Sequence, residues 1–112
     1  MPFINLKTTN SISSQQEEVL RKRFFEACGA ISKPESYVML GFEENCRLYF
    51  RNSDENCAYI EVNLLGSSTS AAYNKMTALL TDAVCDELGL SPDRVYVKYS
   101  ETPHWGFSGS NF

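Results

Sequence analysis

The sequence predicts an α/β (α+β) domain of two pseudo-symmetric β-α-β units, a four-stranded mixed sheet with two helices on one face. Three observations predict it. Apolar and polar residues alternate over Phe3–Thr8 and Ala58–Leu64, the period of half-buried strands. Leu20, Phe24, Cys28 and Ile31 recur at helical steps, as do Ala72, Met76, Leu79, Leu80, Ala83, Val84 and Leu88. The two helix exits also echo one another. Ser32-Lys33-Pro34-Glu35-Ser36-Tyr37-Val38 and Ser91-Pro92-Asp93-Arg94-Val95-Tyr96-Val97 both run proline, acid, strand, about half the chain apart. Right-handed crossovers in two such units place both helices on the same side of one sheet. At 112 residues the length predicts a single domain over residues 1–112.

The elements follow in order. A strand opens the chain at Phe3. Ser14-Gln15-Gln16-Glu17 fits a capping box, in which hydroxyl and carboxylate each satisfy an orphan backbone donor. The first helix follows, with Glu17, Glu18, Arg21 and Lys22 outside its apolar face. Pro34 forces its exit, since the residue before proline is pushed out of helix. Tyr37–Phe42 reads as a strand, 43–45 as a turn, 48–50 as a short return strand and 52–56 as a polar loop. The alternating strand from Ala58 stops at Gly66, residues 67–70 form a cap-rich loop, and Gly89 ends the second helix. Arg94–Ser100 is the last long strand, and the tail from Phe107 is a loop or short edge strand. The sheet face away from the helices then presents Phe3, Tyr37, Met39, Tyr59, Leu65 and Tyr96, too apolar for water alone. It predicts a partner, most simply a symmetric oligomer.

Composition narrows the function classes. Apolar residues make up 43% and charged residues 21%, which excludes a disordered chain. The net charge of −4 argues against nucleic acid, which selects a basic footprint. Arg21-Lys22-Arg23 reads as a solvated helix face. No run approaches ~18 apolar residues, so no membrane insertion is expected. Cys28, Cys46, Cys57 and Cys85 lack C-x-x-C spacing and histidine partners, and read as buried thiols of a reducing compartment. With no secretory signal at its start, the chain reads as cytoplasmic, and any secretion would follow a route without a signal peptide. A chain this short buries roughly 65% of its unfolded surface. A catalytic pocket would therefore be shallow or shared with another subunit.

Pro2 follows Met1 directly. Removal of the methionine would leave a secondary amine at the start of a strand. An α-amino group titrates near pH 8, and an apolar site favours its neutral form, which is a usable base. Proline is common at position two, so the residue gains weight only in company.

That company is present. Met1-Pro2-Phe3 leads into a strand, and Lys33-Pro34-Glu35-Ser36-Tyr37-Val38-Met39 follows the first helix. Leu64-Leu65-Gly66 ends a strand, and Ser91-Pro92-Asp93-Arg94-Val95-Tyr96-Val97 follows the second helix. Trp105-Gly106-Phe107 and Gly109-Ser110-Asn111-Phe112 close the chain. In that order and spacing the sequence resembles the macrophage migration inhibitory factor family of the tautomerase superfamily, over essentially its whole length. The resemblance implies the tautomerase fold, a homotrimer whose strands extend neighbouring sheets, and sites at subunit interfaces. It implies keto–enol tautomerisation of phenylpyruvate-like and dopachrome-like substrates, small aromatic 2-keto acids among them, with no cofactor and no metal. Pro2 would be the general base. Lys33 would pair with the substrate carboxylate or the enolate oxygen, and the Leu65 N–H would be a second donor. Tyr96 would come from the neighbouring subunit, and Phe107 with Trp105 would form an aromatic rim. Tyr37 is a further substrate-binding candidate.

Several positions depart from the family pattern. Lys98 stands where well-known members carry a pocket asparagine, on the same strand face as Tyr96. The usual glycine-rich loop reads Phe50-Arg51-Asn52-Ser53. Cys57 is followed by Ala58-Tyr59-Ile60, so no dithiol activity is expected. Asn10-Ser11-Ile12 lacks the arginine associated with receptor contact. His104 reads as a surface or rim residue. The alternative to an enzyme is a secreted, cytokine-like ligand with a cell-surface receptor and a weak or vestigial tautomerase site.

Overall fold

A computed structural model describes residues 2–33 and 35–112 of the chain. The expected exit at Pro34 lies outside the described residues. Four strands, β1 (Pro2–Thr8), β2 (Met39–Glu43), β3 (Ala58–Leu65) and β4 (Val95–Thr102), form one sheet in the order β2-β1-β3-β4. β1 pairs with β2 in parallel and β3 with β4 in parallel, while β1 and β3 meet antiparallel at the centre. Two β-α-β units thus face each other across one antiparallel seam, and the mixed sheet has the predicted architecture.

The helices α1 (Ser14–Ala27) and α2 (Ser70–Leu88) cover one side. Burial alternates strictly along β1 and β3. Ile4, Leu6, Ile60, Val62 and Leu64 face Leu20 and Phe24 of α1 and Met76 and Leu80 of α2 in one core. Phe42 of β2 stacks on Phe24 at 5.9 Å. Leu79, expected on the inner face of α2, is exposed. Among the described residues no helix is long and apolar enough to cross a membrane.

The cap of α1 lies one residue earlier than predicted. Ser13, with φ −74° and ψ 163°, accepts from the Gln16 N–H, and Gln16 Oε1 accepts from the Ser13 N–H. Gln16 also donates Nε2–H to the Glu87 carbonyl at 2.9 Å. A glutamine can accept and donate at once, whereas an ionised Glu17 can only accept, which favours the 13–16 box over the 14–17 box. At the other end the chain passes through a short 3₁₀ turn (Cys28–Ile31) and leaves through Ser32 in the left-handed region. Gly89, at φ 70°, ends α2 as the sequence predicts.

Two strand expectations are corrected. Tyr37 is not in β2 but in one 3₁₀ turn, Glu35–Tyr37, and β2 starts at Met39. Residues 48–50 form no return strand. Asn45 N–H and Cys46 N–H bond the carbonyls of Asn10 and Thr8, so the chain runs on past the end of β1 instead of folding back along β2. Among the described residues the outer edges of β2 and β4 are both unpaired. Phe50 and Ser53 then close a tight turn with two mutual backbone bonds of 3.0 and 3.1 Å. Its central residues, Arg51 and Asn52, both sit at φ 55°, so the turn keeps a glycine-like backbone without glycine. The tail forms a separate small hairpin, β5 (Gly106–Phe107) and β6 (Ser110–Asn111), turning at Ser108 and Gly109.

The sheet side opposite the helices is open. Phe3, Tyr59 and Leu65 are half-buried there, while Met39 is 66% and Tyr96 61% exposed. The four cysteines are free thiols, but only Cys28 and Cys57 are buried, and Cys46 and Cys85 are half-exposed. Burial pushes the Cys28 thiol up to about 11. Alkylation of the native protein at pH 8, read by peptide mass, is therefore expected to modify Cys46 well before Cys28. Equal rates at the two would contradict this packing.

Candidate active site

β1 begins at Pro2, which lies opposite Leu64 of β3 with its ring fully buried. A cleft of about 310 Å³ opens beside it, lined among others by Pro2, Tyr37, Met39, Trp105 and Phe107. The short turn that displaced Tyr37 from β2 sets its ring edge-on to Phe107 at 6.2 Å. The tail hairpin supplies the other wall. Phe112 stacks on Phe107 at 6.0 Å, and its N–H bonds the Trp105 carbonyl at 3.1 Å. The sequence gives Phe107 and Trp105 a place in the rim, and Phe112 only a place in the closing motif. The Ser108-Gly109 turn is the sequence signal that would fold Phe112 back toward Phe107.

Lys33 and Leu65 lie at the same end of the sheet. The half-buried Lys33 donates from Nζ to the Leu65 carbonyl at 3.4 Å, and Leu65 follows the residue that pairs with Pro2. Gly66 N–H turns to the Thr102 carbonyl of β4 at 2.8 Å. Successive N–H groups of a strand point to opposite edges, so Leu65 N–H points to the β1 side, where Pro2 opens that strand. The loop after Leu65 is held from α2. Tyr73 accepts from the Ser68 N–H and donates its hydroxyl to Glu101. Desolvation, with the Glu101 hydrogen bond, pushes the Tyr73 hydroxyl up to about 12, so it remains a neutral donor at working pH. No pattern in the sequence marked Tyr73 for this task.

Tyr96 and Lys98 do not join this group within one chain. Tyr96 lies opposite Tyr59, at the far end of β3 from Leu64. The separation is about 17 Å along the strand, with a further ~10 Å between β1 and β4. Tyr96 instead lines a second cleft of about 510 Å³ on the open face, with Tyr49, Phe50, Cys57 and Tyr59. Lys98 is exposed on the same face, opposite Glu61. Glu61 pairs with Lys7 at 3.6 Å, and Lys98 makes no ion pair among the described residues. His104 is exposed, its backbone bonded to Thr102.

The arrangement is a small aromatic-walled cleft with a buried proline in its lining, and Lys33 and Leu65 at the same end of the sheet. Comparison with known proteins agrees with this architecture. The solved structure of Leishmania major MIF2 superposes with a TM-score of 0.94 at 30% identity, covering 100% of this chain and 97% of that one. The macrophage migration inhibitory factor of Meriones unguiculatus is 27% identical over 114 residues, 100% of this chain and 99% of its own. The D-dopachrome decarboxylase of Mus musculus is 29% identical over 107 residues, 94% of this chain and 90% of its own. A family model described as macrophage migration inhibitory factor (MIF) matches residues 1–112, and the chain belongs to that family.

Proposed function

We propose that the protein is a cofactor-free keto–enol tautomerase of the phenylpyruvate and dopachrome type, acting as a homotrimer with Pro2 as general base. The observation that carries the reading is Pro2 itself, buried at the start of β1 and lining the aromatic cleft. With Met1 removed, the pyrrolidine nitrogen takes the proton from the carbon beside the substrate carbonyl. The electron pair moves onto oxygen, and the ammonium returns the proton there to give the enol; the reverse sequence forms the ketone. Lys33 and the Leu65 N–H offer positive charge and a donor to the carboxylate and the developing enolate. Tyr37, Phe107 and Trp105 hold the substrate ring. The kinship with a D-dopachrome decarboxylase supports this class of substrate.

The trimer supplies what one chain lacks. The open sheet face and the unpaired edge of β2 support an interface, and the distance from Pro2 to Tyr96 supports a neighbour's Tyr96 and Lys98 completing the site. The 48–50 segment, strand-like in sequence but outside the four-stranded sheet, is suited to the free edge of a neighbouring β2. Light scattering at micromolar concentration is expected to give three times the 12.6 kDa of one chain. A monomeric mass would contradict the shared site. The reaction is tested by following enol-phenylpyruvate absorbance, where conversion above the buffer rate is expected. The second reading is a secreted, cytokine-like ligand with a weak or vestigial tautomerase site, and the name migration inhibitory factor carried by a relative is the observation behind it. It predicts receptor binding that survives Pro2→Gly, with no tautomerase activity in the wild type.

A further inference from the structure

We infer that Arg94 is a positioning residue that fixes the ring of Tyr96 through Phe50. Its importance for catalysis rests on the reading that Tyr96 walls a neighbour's site; the positioning itself does not.

Arg94 is only 8% exposed, yet it makes no ion pair among the described residues. Burying a guanidinium without a carboxylate is costly unless its donors are satisfied. Here they are met by backbone. Arg94 donates to the carbonyls of Phe50 at 2.9 Å, Glu55 at 2.6 Å and Asn56 at 3.3 Å. These three carbonyls bracket the tight turn, one before it and two after it. One planar fork therefore clamps both sides of the loop, a task a lysine's point charge does not reproduce.

The clamp also has an aromatic partner. The guanidinium carbon lies 5.1 Å from the centroid of Phe50. The Phe50 ring lies 4.5 Å from that of Tyr96, tilted by 35°. Phe50 thus links Arg94 to Tyr96, two residues further along the chain. The loop accepts left-handed backbone at Arg51 and Asn52 to hold this geometry, and Arg51 pairs with Asp93 at 3.5 Å beside Arg94. Tyr96 is 61% exposed, and Phe50 is the aromatic ring that packs against it at 4.5 Å.

The test uses the full chain with ¹³C-labelled tyrosine. In Arg94→Lys and in Phe50→Leu, the ring resonances of Tyr96 are expected to move toward exposed-tyrosine values. Tyr73 and Tyr99, whose rings lie 4.4 Å apart and tilted by 35° away from the loop, should keep their wild-type shifts. Arg94→Lys is also expected to raise KM for enol-phenylpyruvate about tenfold, with kcat within about twofold, and to add nothing in a Tyr96→Ala background. Unmoved Tyr96 resonances would overturn the inference, as would the same KM rise in both backgrounds. If Arg94→Lys does not fold, Phe50→Leu decides by the same spectrum. If the wild type shows no tautomerase activity, the proposed function fails and the resonances alone decide the role of Arg94.

Discussion

Replacement of Pro2 by glycine is expected to slow enol–keto conversion by about 10²–10⁴-fold, the range for loss of a positioned general base. Glycine at position two still permits removal of Met1, so the variant keeps a terminal amine. What it loses is the buried ring that holds the nitrogen at the start of β1. A glycine there has no side chain to pack and a freer backbone, so the amine samples many positions relative to the cleft. The oligomer should persist, because Pro2 lies on the buried side of β1 with Ile4 and Leu6 and not on the open sheet face. Measurement of the rate alongside the mass separates the two effects. An undiminished rate in an intact oligomer would remove Pro2 from the mechanism.

Replacement of Lys33 by alanine is expected to cost about 10²-fold in kcat/KM, or ~2.7 kcal/mol, the scale of losing one preorganised donor at developing charge. Lys33 reaches the Leu65 carbonyl from the segment after α1, so its ammonium is held at the Pro2 end of the sheet. The competing account makes it a helix-end lysine favoured by the dipole, for which the effect would be on stability alone and below about 1 kcal/mol. The two accounts divide on what changes. A functional Lys33 lowers kcat/KM with little change in melting temperature, and Lys33→Arg restores part of it. A dipole lysine shifts melting slightly and leaves kcat/KM alone.

The parts of the fold that were legible are those written as periodicity. The alternation of β3 and the helical steps of Leu20, Phe24 and Cys28 exist because each element buries one face in the same core. The pairing of Tyr96 with Lys98 was legible for the same reason, as two residues on one strand face. The cap of α1 was ambiguous because two boxes overlap, and the choice depends on a contact from Gln16 to Glu87, far along the chain. The 48–50 segment has strand composition, but a strand exists only against a partner edge, and the bonds from Asn45 and Cys46 to Asn10 and Thr8 lead this segment away from the free edge of β2. The site divides in the same way. Pro2, Lys33, Leu65, Tyr37 and Phe107 were suggested by a family resemblance, and the structure gathers them at one end of the sheet. Arg94 bonds carbonyls 38 to 44 positions away and Tyr73 a carboxylate 28 positions away, and no local pattern encodes such contacts.

The central claim is that the free nitrogen of Pro2 does the chemistry. The most direct test compares protein whose N-terminal residue is Pro2, established by intact mass and N-terminal sequencing, with protein that retains Met1. In the second form the Pro2 nitrogen is an amide and has no basic lone pair. Conversion of enol-phenylpyruvate is expected from the first form and not from the second. Equal rates from the two forms would contradict the account.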